Sequence, residues 1–315
     1  MPAVPLEAPP KAALALEPAA PAGAQRRMVE LAGRGNTISV LEWGDPSAPL
    51  ALLHHANGFC AAQWAEVAEA LADRFRVVAL DARGQGHSPL PPGGVTPENL
   101  AWEVLRDDLV ALGAQLLDEL GRSQVMLALG HSFGGTLSLA AAARAPERYG
   151  AVLALDPVIL PPRRPDVGRG NELGKRTRKR RNVFATRADA RASFVGKPFF
   201  DGWTERALDL YVEFALGETP DGHFALRCPR EVEATIFESS VGFDILDEVA
   251  HVSARAGVVW AARGNFPREV HAAVVEPIAK GWLAEADVGH LVPMEDPGLV
   301  LRMIERLLGE GVLGG

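Results

Sequence analysis

The sequence Gly130-His131-Ser132-Phe133-Gly134-Gly135 decides how the rest of the chain is interpreted. An apolar run, residues 125–129, precedes it, and an alanine-rich helical pattern, residues 136–144, follows it. A G-x-S-x-G motif between a strand and a helix predicts a strained turn that exposes the serine hydroxyl. The glycines two positions before and after the serine have no Cβ, so neighbouring backbone can approach closely. The motif therefore favours Ser132 as a nucleophile over a plain strand–helix turn.

Short apolar runs alternate with helical patterns on both sides of this motif. The predicted strands are residues 28–31, 37–43, 50–53, 75–80, 125–129, 151–155, 257–262 and 282–286. Thr96 and Pro97 suit the start of a long amphipathic helix that reaches Leu120. Strands that alternate with helices predict an α/β fold with a mostly parallel eight-stranded sheet and helices on both faces.

The alternation of strands and helices stops between residues 158 and 250. This segment carries helical patches and scattered prolines, and about ninety residues are too many for a connecting loop. We therefore expect an inserted helical lid at 158–250, flanked by core segments at 28–157 and 251–315. Residues 1–27 are rich in proline and alanine, with few large apolar side chains, which predicts a disordered N-terminal tail.

Composition argues against several classes of protein. The formal net charge of −8 argues against a nucleic-acid partner, and no apolar run reaches the ~20 residues of a membrane span. The two cysteines, Cys60 and Cys228, form neither a disulfide framework nor a zinc-binding pattern, which suits a reducing compartment. Residues 1–27 lack the pattern of a signal peptide. We expect a cytoplasmic protein, and whether it forms a homodimer stays open.

Four motifs stand in the order of a known family. They are His55-Ala56-Asn57, Asp81-Ala82-Arg83-Gly84-Gln85-Gly86-His87-Ser88, the serine motif, and Gly289-His290. On these residues the chain resembles the α/β-hydrolase fold superfamily from about residue 28 to the C-terminus, and its serine hydrolase branch in particular. The resemblance implies a Ser-His-acid catalytic triad that requires no metal or organic cofactor. It says little about the substrate, because this fold hosts many chemistries.

A serine nucleophile needs a base, and the resemblance implies that His290, after the last predicted strand, supplies it. The usual family acid follows the strand that ends at Ala262, where this chain has Asn265 and no aspartate. Relatives such as haloalkane dehalogenases and zearalenone-type lactonases carry the acid after the strand that follows the nucleophile helix. Asp156 occupies that position, so the resemblance implies Asp156 as the triad acid, with Glu269 or another carboxylate of the lid as the alternative.

The resemblance also implies an oxyanion hole of two backbone N–H groups. One belongs to Phe133, directly after the nucleophile. The other belongs to the loop after the third predicted strand, where Asn57 takes the family's donor position. Ala56 stands where relatives have glycine, and this departure leaves the choice between the N–H groups of Asn57 and Ala56 open.

Other polar residues near these motifs are expected to be structural. His131 adjoins the nucleophile, but adjacent residues on a sharp turn point apart. Asp81 and Arg83 are expected to support their own turn as a charged pair. Cys60 is expected to be a packed thiol, because no neighbouring group would lower its pKa.

The lid segment contains a basic run and many aromatic residues. The run Lys175-Arg176-Thr177-Arg178-Lys179-Arg180-Arg181 predicts either a solvated surface or a patch that recruits an anionic substrate, lipid surface or partner. The aromatic side chains predict a lid core, of which a few members line an apolar pocket. They are Phe184, Phe194, Phe199, Phe200, Trp203, Tyr211, Phe214, Phe224 and Phe237.

These residues predict a serine hydrolase that cleaves a carboxylic ester or lactone of a moderately large apolar molecule through an acyl-enzyme. A carbon–carbon bond hydrolase with the same triad, or a non-catalytic receptor or scaffold of the same fold, are the alternatives. Dehalogenase and epoxide hydrolase activities are disfavoured, because they need an aspartate where this chain has Ser132.

Overall fold

Strand–helix alternation in the first half of the chain builds most of the central sheet. The computed structural model describes residues 8–17, 19–159 and 172–309, so parts of the predicted tail, lid and C-terminal core lie outside the described residues. The elements of this half are β1 (Gln25–Leu31), β2 (Asn36–Trp43), β3 (Leu50–His54), α1 (Ala65–Leu71), β4 (Arg76–Asp81), α2 (Trp102–Leu120), β5 (Leu127–His131), α3 (Phe133–Arg144) and β6 (Ala151–Leu155).

The lid segment and the rest of the core follow. The lid elements are α4 (Glu172–Lys179), β7 (Val183–Phe184), α5 (Arg187–Phe194), α6 (Glu205–Phe214), β8 (Leu216–Glu218), β9 (Phe224–Leu226) and α7 (Arg230–Ser239). The core then continues with β10 (Arg255–Ala261), α8 (Arg268–Val275), β11 (Gly281–Ala286), α9 (Val292–Glu295) and α10 (Pro297–Leu308).

Among the described residues, eight strands form one sheet in the order β1-β2-β4-β3-β5-β6-β10-β11. β2 runs antiparallel to both of its neighbours, and the other pairs are parallel. The central strands are buried on both faces: Leu53 and Leu129 face one apolar cluster, whereas Leu52 and Ala128 face the other. The first cluster includes α1 and α10, and the second includes α2, α3 and α8. The prediction of a mostly parallel eight-stranded α/β fold is confirmed.

Helix α2 begins later than the sequence predicts. The Thr96 side chain accepts the N–H of Asn99 at 3.2 Å, and the Thr96 carbonyl accepts the N–H of Leu100, which closes a separate turn. Ala101 is extended, and the helix starts at Trp102. A threonine side chain accepts backbone N–H groups both in a turn and at a helix N-cap. The residue type alone therefore does not distinguish a turn at Thr96 from the start of a helix.

The lid contains a small sheet as well as helices. β7, β9 and β8 pair antiparallel in that order, and each strand has only two or three residues. The prediction of a helical lid did not include these strands, because strands this short carry no alternating pattern. Helix α7 is tied to the core, since the Trp102 indole donates to the Ile236 carbonyl at 2.9 Å.

The described part of the N-terminal segment is packed, which differs from the predicted disordered tail. The Lys11 ammonium donates to the carbonyl oxygens of Gly84 (3.1 Å), Gly86 (2.6 Å) and Arg227 (2.5 Å). Leu14 is buried against Val183 and Ala225 of the lid sheet. Residues 8–17 thus connect the core loop after β4 to the lid, and we call them the N-terminal strap. Within the described residues, no helix has the length and apolar character needed to cross a membrane.

Candidate active site

The turn between β5 and α3 holds Ser132 in a strained backbone conformation. Its φ of 55° and ψ of −121° lie in a region that residues with a Cβ rarely adopt. A Cβ on Gly130 would overlap the backbone of Gly134, and a Cβ on Gly134 would overlap the carbonyl of His54. Both glycines are therefore required for the close packing that maintains the turn.

A continuous chain of hydrogen bonds joins Ser132, His290 and Asp156. Nε2 of His290 lies 2.9 Å from Oγ of Ser132, and Nδ1 lies 2.6 Å from Oδ2 of Asp156. The carboxylate can only accept, so Nδ1 carries the proton and Nε2 is the acceptor for the serine hydroxyl. Ser132 is 6% exposed and Asp156 is fully buried. The structure thus brings together the three residues that the sequence proposed as a triad.

Asp156 reaches His290 because β6 and β10 are neighbours in the sheet. The N–H of Asp156 donates to the Val259 carbonyl at 2.7 Å, and its Oδ1 accepts the N–H of Ala261 at 3.1 Å. The end of β6 and the loop after β10 therefore occupy the same region, although they are distant in sequence. The alternative acid, Glu269, is exposed on α8.

The backbone N–H groups of Asn57, Ala56 and Phe133 have no hydrogen-bond acceptor within the described part of the chain. Phe133 is the first residue of α3, so its N–H also lies at the positive end of the helix dipole. The Asn57 side chain donates to the Glu233 carbonyl of α7 at 2.9 Å. The loop after β3 is therefore attached to α7, and the choice between Asn57 and Ala56 as the predicted oxyanion donor stays open.

Histidines around the turn act as hydrogen-bonding supports. Nε2 of His131 lies 2.8 Å from the backbone oxygen of His290, and burial lowers the pKa of His131 to about 3, which keeps it neutral. His55 places Nδ1 2.7 Å from the Ala56 carbonyl, and its Nε2 accepts the N–H of Ala82 at 2.9 Å. These two bonds fix the His55 tautomer with its proton on Nδ1.

Asp81 and Arg83 support the fold separately, which differs from the predicted pair. Asp81 is salt-bridged to Arg26 at 2.9 Å and accepts the N–H of Ala61 at 2.7 Å. Burial alone would raise its pKa, but Arg26 and nearby histidines lower that pKa to about 2. Arg83 instead binds Asp108 in a bidentate pair with both contacts at 2.7 Å.

Cys60 is a packed residue. Its side chain is 2% exposed, and burial raises the pKa of its thiol to about 12, so it is a thiol at neutral pH. Among the described residues, no cluster of three or more His, Cys, Asp or Glu side chains has the arrangement of a metal site.

Two arginines of the basic run are paired with acidic residues of α7. Arg178 binds Glu231 at 2.8 Å and also pairs with Glu238, and Arg180 pairs with the buried Glu233. Burial raises the pKa of Glu233, and Arg180 opposes that rise. These arginines thus hold α4 against α7.

Aromatic side chains of the lid segment pack against Phe59 in the loop after β3. The Phe59 ring follows Asn57 and Gly58 in sequence and contacts Tyr211 (5.5 Å between centroids), Trp203 (5.9 Å) and Phe199 (6.3 Å). Phe199 is 54% exposed, whereas Tyr211 is buried. The cluster therefore runs from the lid surface to the loop beside Ser132.

Sequence analysis did not identify His271 on α8. This histidine is fully buried, and its Nε2 lies 3.3 Å from Oδ1 of Asp156. The helical spacing of His271, Val274 and Val275 indicates only that this histidine lies on the buried face of α8. A single histidine on such a face gives no indication of the carboxylate that it meets.

Comparisons with known proteins agree with this architecture. A family model described as alpha/beta hydrolase fold matches residues 49–198. A 2-(acetamidomethylene)succinate hydrolase of Mesorhizobium japonicum is 35% identical over 120 residues, which cover 38% of this chain and 39% of that protein. Epoxide hydrolase A of Mycobacterium tuberculosis is 34% identical over 131 residues, which cover 40% of this chain and 37% of that protein. The chain thus matches about two fifths of the length of these curated relatives.

Solved structures are similar over most of the chain at low sequence identity. The crystal structure of E-2-(acetamidomethylene)succinate hydrolase has a TM-score of 0.74 and 21% identity, and the match covers 90% of this chain and 99% of that one. The enol-lactonase from Burkholderia xenovorans has a TM-score of 0.68 and 19% identity, with 90% and 99% coverage. At these identities the likeness establishes the fold alone.

Proposed function

We propose that this chain, whose residues 49–198 match the model of the alpha/beta hydrolase fold family, is a serine hydrolase with Ser132, His290 and Asp156 as its triad. The hydrogen-bond chain through His290, with contacts of 2.9 and 2.6 Å, is the observation that carries this proposal. The spacing and order of donor and acceptor match what proton transfer from a serine hydroxyl requires.

In the proposed reaction, His290 removes the hydroxyl proton while Ser132 attacks the substrate carbonyl. Asp156 stabilises the resulting imidazolium and keeps its tautomer fixed. The N–H groups of Phe133 and of Asn57 or Ala56 bind the oxyanion, and removal of one such donor costs on the order of 3 kcal/mol. The imidazolium protonates the leaving alcohol, and water activated by the same histidine then hydrolyses the acyl-enzyme.

The favoured substrate is a small-molecule carboxylic ester or lactone with a moderately large apolar part. The aromatic cluster of Phe59, Phe199, Trp203 and Tyr211 supports this substrate class, because pockets for such groups are lined largely by apolar side chains. Ser132 is 6% exposed, so we expect the side chains that cover it to shift when the substrate binds.

Among similar proteins, one is named as a hydrolase of 2-(acetamidomethylene)succinate and one as an enol-lactonase. We therefore include amides and lactones beside simple esters in the candidate range. Epoxide hydrolase activity is disfavoured despite the similarity to epoxide hydrolase A, because position 132 is serine and not aspartate. Carbon–carbon bond cleavage with the same triad is the remaining catalytic alternative.

The decisive experiment screens p-nitrophenyl esters, lactones, enamides and ketonised dienoates on the wild type and on Ser132→Ala. Turnover of an ester or lactone by the wild type alone supports the proposal, whereas turnover of dienoates alone supports carbon–carbon cleavage. A fluorophosphonate that labels the wild type, but not the variant, identifies the nucleophile directly. Absence of both turnover and labelling would favour a non-catalytic receptor or scaffold.

A further inference from the structure

The carboxylate of Asp156 lies between two imidazole rings. His290 contacts Oδ2 through Nδ1 at 2.6 Å, and His271 places Nε2 3.3 Å from Oδ1. The Phe266 ring packs edge-on against both imidazoles, with centroid distances of 5.8 Å to His271 and 5.7 Å to His290. His271 and the proposed triad therefore form one packed unit beneath the loop after β10.

His271 is a fully buried polar group without an aligned partner. Within the described residues, neither of its ring nitrogens has a hydrogen bond of good geometry, although the backbone of Pro267 and of Pro157 lies close enough to favour the protonated ring. A buried donor left unsatisfied destabilises the fold, so a hydrogen bond to the adjacent carboxylate would recover free energy that this burial loses. The 3.3 Å separation of Nε2 and Oδ1 is within hydrogen-bond distance, so reorientation of the ring would make this contact a hydrogen bond.

The protonation state of His271 fits the role of a neutral donor. Burial lowers the pKa of His271, while the Asp156 carboxylate partly opposes that effect. The titratable groups that face it are Asp156 and His290. A neutral imidazole carries one N–H, which Asp156 and the backbone of Pro267 and Pro157 can compete to accept. The proposed contact requires this proton on Nε2, the nitrogen that faces Oδ1.

Oδ1 of Asp156 has capacity for this second donor. It accepts the Ala261 N–H at 3.1 Å, and a buried carboxylate oxygen can accept two hydrogen bonds. The Ala261 N–H holds Oδ1 from one side, so the carboxylate plane is set by this one backbone donor and by His290 itself. A donor from α8 on the same oxygen would fix that plane and thus the direction of Oδ2.

We propose that His271 is a positioning residue that donates Nε2–H to Oδ1 of Asp156 and thereby holds Oδ2 in line with Nδ1 of His290. The inference rests on the proposed function, because its catalytic meaning requires that His290 acts as the base. The coupling of His271 to His290 through the Asp156 carboxylate can be measured without turnover, as a change in the pKa of His290.

The test compares His271→Met with His271→Gln. Methionine fills similar volume without a donor, whereas the glutamine amide places an N–H near the position of the imidazole Nε2. The pKa of His290 is measured by NMR titration of its ring in a Ser132→Ala background, and kcat and KM are measured in the parent background. Thermal unfolding of each variant monitors the fold.

We expect His271→Met to lower the pKa of His290 by about half a unit, because a misdirected carboxylate stabilises the imidazolium less. We expect kcat to fall by about 10- to 100-fold with little change in KM, since misplacement of an orienting group acts on the chemical step. His271→Gln should restore most of both losses. If methionine prevents folding, His271→Asn replaces it, because its shorter amide does not reach Oδ1.

Two results would overturn the inference. One is an unchanged kcat and an unchanged His290 pKa in His271→Met. The other is an equal loss in the Met and Gln variants with the His290 pKa unmoved, which would make His271 a packing residue. If the wild type shows neither turnover nor labelling, but the His290 pKa still responds to His271→Met, the proposed function fails and the coupling stands.

Discussion

Gly264 lies directly against the carboxylate of Asp156, so that a Cβ built on Gly264 would be 2.8 Å from Oδ2. Gly264 belongs to the loop after β10, where the superfamily usually carries its acid. Because this loop has a glycine at the contact, the carboxylate that arrives from the end of β6 has the space to reach His290. The proposed acid, Asp156, therefore stands at a different place in the sequence from the common pattern, although its carboxylate lies beside the proposed base, His290.

Asp156→Asn should lower kcat by about 10⁴-fold and leave the fold intact, because an amide can stabilise the wrong imidazole tautomer. Steady-state kinetics on the best ester of the panel measure this loss, and circular dichroism checks the fold. Glu269→Gln is the matched control, since Glu269 is exposed on α8, and its kcat should stay near the wild-type value. The reverse order of effects would move the acid to Glu269.

Gly130→Ala should destabilise the protein severely, by about 3 kcal/mol or more, because the new methyl group overlaps the backbone of Gly134. Gly113→Ala is the matched control in helix α2, where the nearest atoms to an added Cβ lie 3.5 Å away or more. That variant should be neutral or stabilising by up to about 1 kcal/mol. Urea denaturation measures both changes, and similar stabilities of the two variants would contradict the account of the turn.

Phe199→Ala should reduce kcat/KM for esters with a large aromatic or long acyl group by about fivefold, the equivalent of about 1 kcal/mol of lost ring contact. Acetate esters should be affected little, because a short acyl group does not reach the cluster of Phe59 and Phe199. Val195→Ala removes an apolar side chain of similar exposure and serves as the control. An equal loss on short and long esters would place Phe199 outside the substrate site.

Lys11→Met should destabilise the protein by about 1–3 kcal/mol at pH 7, because three buried carbonyls lose their donor. Burial lowers the pKa of Lys11 from 10.5 to about 8. Between pH 8 and pH 10.5, Lys11 binds more protons in the unfolded chain than in the folded protein. The contribution of Lys11 to the free energy of unfolding of the wild type therefore rises with pH over this range. The difference in free energy of unfolding between wild type and variant should therefore grow from pH 7 to pH 10.

Chemical denaturation of wild type and Lys11→Met in the same buffers tests this dependence, since the titration of other groups cancels in the comparison. A difference that stays constant or shrinks as the pH rises would show that burial does not lower the pKa of Lys11 in the folded protein.

The parts of the molecule that follow from local rules could be predicted from the sequence. Ser132 was identified because its turn needs glycines at fixed offsets, and the central strands were identified because they are continuously apolar. Asp156 came from the resemblance, since no local pattern distinguishes it from an aspartate that caps a turn. Its contact with His290 depends on which strands are neighbours in the sheet.

Other parts depend on tertiary contacts that leave no sequence pattern. His271 meets Asp156 only because α8 packs beneath the loop after β10. Lys11 is one lysine in a segment of proline and alanine, and its docking site consists of backbone carbonyls from two distant regions. The lid strands have two or three residues, which is too few to show an alternating pattern of apolar and polar side chains.

The N-terminal strap joins partners that are far apart along the polypeptide, since Lys11 and Arg227 are 216 positions apart. During synthesis on the ribosome, residues 8–17 emerge long before the lid residues that they bind. Closing so large a loop is entropically unfavourable until the intervening core has formed, so the strap should dock late. Fusion partners or tags placed just ahead of it would consequently disturb maturation of the lid more than formation of the central sheet.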